Sequence, residues 1–173
     1  MAMQRSDELA EASFILDSQV RALGIKTRGC AFNIYGDNES TEWASTEAGI
    51  MPVYKTPREN VFLRYYEHGQ NGDSMYIEEF EGEALDAHKD YLCTIPVIGE
   101  AIRKMKEAGG SFPTRQIDHV AYFKYGYLLF ITLEPVPEAH DIFKRFAKVF
   151  EQTYIRFLDL QKAEAQAREA QIE

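Results

Sequence analysis

Apolar positions change their spacing several times along the chain, and each change predicts an element. In the opening segment Leu9, Leu16, Val20 and Leu23 fall on one stripe, the spacing of a helix that buries one face. This predicts an N-terminal helix over 2–23, with Ser6 as its cap, Asp7 and Glu8 in the positively polarised first turn and Gly24 as its stop. Over 28–35 the pattern alternates, with Cys30, Phe32 and Ile34 on one side of a strand. The turn-rich stretch 36–40 then leads to a returning strand over 41–46. An extended piece at 51–54 precedes Pro57, and 58–68 reads as a helix with Val61, Phe62, Tyr65 and Tyr66 available for burial. After a turn at 69–72 come a strand over 75–80 and helices over 81–92 and 96–108, the last stopped by Gly109-Gly110. Segments 117–124 and 127–133 form a second hairpin joined through Tyr125-Gly126. Pro135 and Pro137 break that pattern, and a final helix starts near Glu138. With no repeat, low-complexity tract or linker, this order predicts an α+β domain whose antiparallel sheet is flanked by helices.

The final helix has no stop signal. Ala, Glu, Gln, Arg and Lys, all strong helix formers, run to Glu173. Beyond Leu160 the apolar positions thin to Ala163, Ala167 and Ala170, a narrow seam suited to one partner helix. The expectation is a domain over 1–155, followed at 156–173 by the start of a coiled-coil connecting helix in a longer protein. Phe150 and Tyr154 are grouped with the seam as residues of a dimerising, signalling helix. The alternative is a self-contained small protein whose terminal helices simply pack.

Composition narrows the class. Hydrophobic residues make up 45% of the chain and aromatics 13%, which argues for a packed core rather than disorder. A net charge of −9 argues against a nucleic-acid partner, and Arg103-Lys104-Met105-Lys106 reads as the solvated face of a helix. Without a long apolar run or a signal-peptide pattern, no membrane contact and a cytoplasmic location are expected. Cys30 and Cys93 lie in apolar surroundings and read as reduced core residues.

Candidate chemistry is sparse. His68, His88, His119 and His140 are scattered, so no metal site is expected; a site assembled in space from His119, His88 and Cys93 stays open. Asp118 and His119 are strand neighbours and point to opposite faces, which removes them as a catalytic pair. No GxSxG motif occurs, and Gly69-Gln-Asn-Gly72 lacks the Lys-Ser/Thr of a phosphate loop. The run Glu78, Glu79, Glu81, Glu83 could supply a carboxylate pair, but it reads better as a charged strand edge. The aromatics are more useful. Trp43, Tyr54, Tyr65, Tyr76 and Tyr91, with His119 as a polar anchor, are the candidates for lining a pocket for a planar small ligand.

Several segments carry a family resemblance: Met1-Ala-Met-Gln-Arg-Ser-Asp-Glu-Leu-Ala-Glu11; Gly82-Glu-Ala-Leu85 with His88 and Tyr91-Leu92; 126–135; 141–154; and 156–173. Together they resemble the GAF-like sensor segments of large bacterial multidomain signalling proteins, which occur upstream of histidine-kinase or other output modules. The likeness covers residues 1–20 and 80–173. It implies a roughly six-stranded antiparallel sheet with terminal helices on one face and a small-molecule pocket on the other. It also implies a homodimer through those helices and a downstream output domain in the same chain. It transfers no ligand, no cofactor and no binding residue. The expected function is therefore a non-catalytic sensory input domain; the alternatives are an oligomerising spacer with a degenerate, ligand-free pocket, or a small enzyme for a hydrophobic substrate.

Overall fold

The computed structural model describes residues 8–110 and 112–172. Their elements run α1 (Glu8–Ala22), β1 (Gly29–Tyr35), β2 (Glu39–Thr46), β3 (Gly49–Ile50), β4 (Tyr54–Pro57), α2 (Asn60–Gln70), β5 (Met75–Glu81), α3 (Gly82–Cys93), α4 (Ile98–Glu107), β6 (Arg115–Phe123) and β7 (Gly126–Thr132). A 3-10 turn at Pro137–Ala139 then opens α5 (His140–Ile172). The seven strands form one open antiparallel sheet in the order β3-β2-β1-β7-β6-β5, with β4 also paired to β2. The sheet has seven strands where about six were expected; the seventh arises because β3 and β4 share the outer edge of β2. Ser45 and Thr46 pair with β3, while residues 39–42 pair with β4.

The period-two alternation of the central strands makes two cores. Cys30, Phe32, Ala121, Leu128 and Phe130 point to one face, where α1 and α5 pack. Ala31, Val120, Tyr127 and Leu129 point to the other, under α2, α3 and α4. On the first face Phe130 stacks on Phe143 at 4.1 Å, and α5 also buries Ala147, Tyr154 and Phe157 at helical spacing. At 1.5 Å per residue, α5 is about 50 Å long, and beyond Phe157 it leaves the core. Among the described residues no helix is long and apolar enough to cross a membrane.

Two local expectations change, and a third, the Ser6 cap with Asp7 beside it, lies outside the described residues. Leu23 does not join the buried stripe of α1: it is 58% exposed, because the helix closes at Ala22 and Gly24 reverses the chain at φ +85°. The second hairpin turns at Lys124-Tyr125, and Gly126 is already the first residue of β7, opposite both Phe123 and Ile34. A side chain on Gly126 would collide with the Asn33 carbonyl of β1, so the position needs glycine for close strand approach.

Candidate functional site

The two hairpins bring β2, β1, β7 and β6 side by side, and the residues on their second face meet the ends of α2, α3 and α4. Between them lies a cavity of about 160 Å³, well above the ~10–15 Å³ that one water needs. Its walls are apolar and aromatic: Met51, Val61, Phe62, Leu92, Ile98 and Leu129. Its polar lining includes Glu42, Tyr54, Tyr65, His88, Gln116 and Asp118, with Ser45 and Thr46 at its side.

Two tyrosine–carboxylate pairs dominate the polar part. On β2, Glu42 is 3% exposed and accepts hydrogen bonds from the Tyr54 hydroxyl and, at 3.2 Å, from Asn33 Nδ2. Asn33 Nδ2 also donates to Thr56 Oγ1 at 3.1 Å. On β6, Asp118 is 2% exposed and accepts from the Tyr65 hydroxyl at 2.6 Å and from Gln116 Nε2 at 2.8 Å. Burial pushes the Glu42 carboxyl up to about 7, against the pull of its Tyr54 and Asn33 hydrogen bonds. Burial likewise pushes Asp118 up to about 6, against Tyr65 and Gln116, with the Glu78 charge adding to the rise. No described Lys or Arg forms an ion pair with either carboxylate. His88 stacks on Phe80 at 4.3 Å, and burial lowers its pKa to about 4, so it is neutral at physiological pH.

The cover of the cavity contains a strained corner. Between α3 and α4, Val97 has φ 75° and ψ −63°, and the Ile98 N–H donates to the Pro96 carbonyl at 3.0 Å. This is a γ-turn of the less stable hand, an outlier for a β-branched residue. Gly99 lies so close to the Cys93 carbonyl that a Cβ there would collide with it. The corner adjoins the cavity through Leu92 and Ile98.

The structure divides the pocket candidates. Tyr54 and Tyr65 line the cavity. Tyr76 stands beside Tyr65, 5.9 Å between rings, but stacks on His68 and donates to Glu78 at 2.9 Å. Tyr91 packs near Phe62 and donates to Glu59 at 3.1 Å, outside the cavity lining. Trp43 and His119 are on the opposite face. Trp43 stacks on Phe32 at 5.0 Å, and His119 Nδ1 lies 3.0 Å from the Phe130 carbonyl with its ring against Phe143. The period of two explains both: each follows a cavity-facing carboxylate, Glu42 or Asp118, by one residue. The same alternation separates His119 from His88, so these two cannot join Cys93 in one metal site. Among the described residues no group of three or more His, Cys, Asp or Glu side chains could hold a metal ion.

The terminal-helix set divides too. Phe150 packs on Phe32 and Phe123 at 4.7 and 5.2 Å, and Tyr154 is buried, so both serve the protein's own sheet. Leu160, Ala163, Ala167 and Ala170 lie past the last buried residue. At 3.6 residues per turn Ala163, Ala167 and Ala170 fall roughly opposite Phe143, Ala147 and Tyr154, on the side of Val149, which is 60% exposed, while Leu160 lies between the two sides.

Glu42, Asp118 and Gln116 were not foreseen as site residues. The signal was present: a carboxylate inside an apolar alternating strand, on the same side as Ala44 in β2 and Val120 in β6, points into a core. Compared with known proteins, the chain matches no family model, and no curated protein or solved structure matches it significantly.

Proposed function

We propose that this domain is a non-catalytic sensory input module of GAF-like type, which binds a small molecule in the cavity and passes its occupancy to α1 and α5. It would act as a homodimer through its terminal helices and feed an output domain in the same chain. The observation that carries the reading is the division of labour across one sheet. The cavity with its buried polar groups is on one face, and the terminal helices are on the other. This is the arrangement that the GAF-like resemblance implies.

A sheet one layer thick also offers a route between the two. Asp118 faces the cavity, and its neighbour His119 sits against Phe143 and, at 5.6 Å, His140 at the start of α5. Leu129 faces the cavity and its neighbour Phe130 stacks on Phe143. A ligand that shifts β6 or β7 would therefore shift the seat of α5. Two seats within a few kcal/mol of each other would make that helix a switch.

A spacer with a ligand-free pocket is the second reading, and the cavity's size favours it: 160 Å³ is below the ~300–1,000 Å³ typical of ligand sites. Native mass spectrometry of the domain purified from cells separates the two. A stoichiometric small-molecule mass that is lost on denaturation supports the sensor. An empty protein with no thermal shift across a metabolite library supports the spacer.

A further inference from the structure

Three carboxylates are buried among the described residues: Asp17, Glu42 and Asp118. A buried carboxylate is stable only when it is paired, hydrogen-bonded or protonated. Asp17 has its own cation, with Arg21 Nε 2.9 Å away, and accepts from Thr27 Oγ1 at 2.5 Å and Cys30 Sγ at 3.3 Å. Glu42 and Asp118 have no cation among the described residues. Each accepts two donors, where an ionised carboxylate offers about four acceptor positions. Both line the same cavity, and His88, the one other titratable nitrogen there, is held neutral.

The rest of the lining adds to this. Tyr54, Phe62 and Tyr65 bring aromatic rings to the cavity, and a cation gains from the face of such rings within about 6 Å. Val61, Leu92, Ile98 and Leu129 offer an apolar seat for a short hydrocarbon body. Resting on the sensor reading above, we infer that the cavity is a site for a small organic cation, a short alkylamine or a molecule with such a head group, held by Glu42 and Asp118. The amine would supply the charge that Arg21 supplies to Asp17, and its N–H donors would take the open acceptor positions.

The test uses the whole chain at pH 8, by thermal shift and calorimetry, with propyl- to hexylammonium chloride as probes. The alcohols of equal chain length and magnesium chloride at matched ionic strength serve as controls. The ammonium series is expected to raise the melting temperature while the alcohols do not. Glu42→Gln and Asp118→Asn keep the shape of each side chain; with native circular dichroism, each should weaken amine binding by roughly tenfold to a hundredfold. Alcohols binding as well as amines would leave a ligand pocket but overturn the cation. Amine binding unchanged in both variants would place the cation elsewhere and overturn the assignment. A magnesium shift abolished by Glu42→Gln would make this an inorganic-cation site and overturn it equally. If no probe binds, the cation falls; if the cavity-filling Ala44→Leu variant is also clearly less stable than the parent, the space is not there and the pocket reading falls with it.

Discussion

The two faces of the sheet treat the same chemical problem differently. Toward α1, Asp17 is buried among Arg21, Thr27 and Cys30, and this cluster ties the first helix to the start of β1. On the same face Phe130 stacks on Phe143 and Phe32 packs on Phe150, and an open cleft of about 910 Å³ runs between the end of α1 and the start of α5. Toward α2, α3 and α4, Glu42 and Asp118 are buried just as deeply but have only tyrosine and amide donors, and they border open space. The buried carboxylate of the first face is satisfied from within. Those of the second keep acceptor capacity beside a cavity, the condition of a site and not of a core.

Mutations on the two faces should therefore differ in size and in sign. The largest effect is expected from Phe143→Ala, which opens a hole between α5 and β7. Such truncations cost about 3–5 kcal/mol, and urea denaturation should show the loss as a lower midpoint with an unchanged slope. Asp17→Asn should cost less, about 1.5–3 kcal/mol, the range for a hydrogen bond to a charged group. A cost near zero would mean that Arg21 is satisfied equally well by Glu47, 3.5 Å away.

The same chemical change on the other face should stabilise. The folded-state pKa values of Glu42 and Asp118 are raised from 4.5 to about 7 and from 3.8 to about 6. The native state then holds protons that the unfolded chain has released, so this contribution is complete below pH 4 and is lost as pH rises to about 7. Above that, both carboxylates are ionised without a cation, and Glu42→Gln or Asp118→Asn should raise stability by about 1–3 kcal/mol. The groups facing them, Tyr54, Asn33, Tyr65, Gln116 and Glu78, include no positive charge to reverse the sign. His88 works the other way, since its lowered pKa costs stability as pH falls through its range, but it is common to parent and variant. The measurement is the difference in unfolding free energy between parent and variant from pH 4 to 9. A flat difference would mean that the carboxylates are solvated, and the contrast between the faces would vanish.

How much of this could be read from the sequence depended on the range of the interaction. Cys30, Phe32 and Ile34 declare their common side through spacing alone, and Gly24 declares the end of α1; these are local facts of backbone geometry. Glu42 and Asp118 border one cavity only because β1 and β7 join their strands in one sheet, and no local pattern encodes that arrangement. Trp43 and His119 were conspicuous by chemistry yet belong to the helix face, whereas their neighbours Glu42 and Asp118 look like ordinary surface residues and border the cavity. Residue type pointed to the right strands. The parity of each position within its strand decided the face, and parity needed the register.

The smallest expected effect on stability is also the one that bears on signalling. Leu160 lies beyond Phe157, the last buried residue of α5, and about a quarter turn around the helix from the side that faces the sheet. Leu160→Asp should leave the monomer's unfolding free energy within about 0.5 kcal/mol, as for an ordinary surface change. If the outer stripe of α5 forms the dimer, that same change buries a charge at the seam, and sedimentation velocity should show the dimer dissociating at concentrations where the parent stays associated. Phe150→Ala provides the opposite control: it removes a ring that packs on Phe32 and Phe123, so it should destabilise the fold with no direct effect on the seam. A dimer that survives Leu160→Asp would take this stretch of α5 out of the interface. The output of α5 would then have to pass through its core-facing residues, the ones that the cavity reaches through β6 and β7.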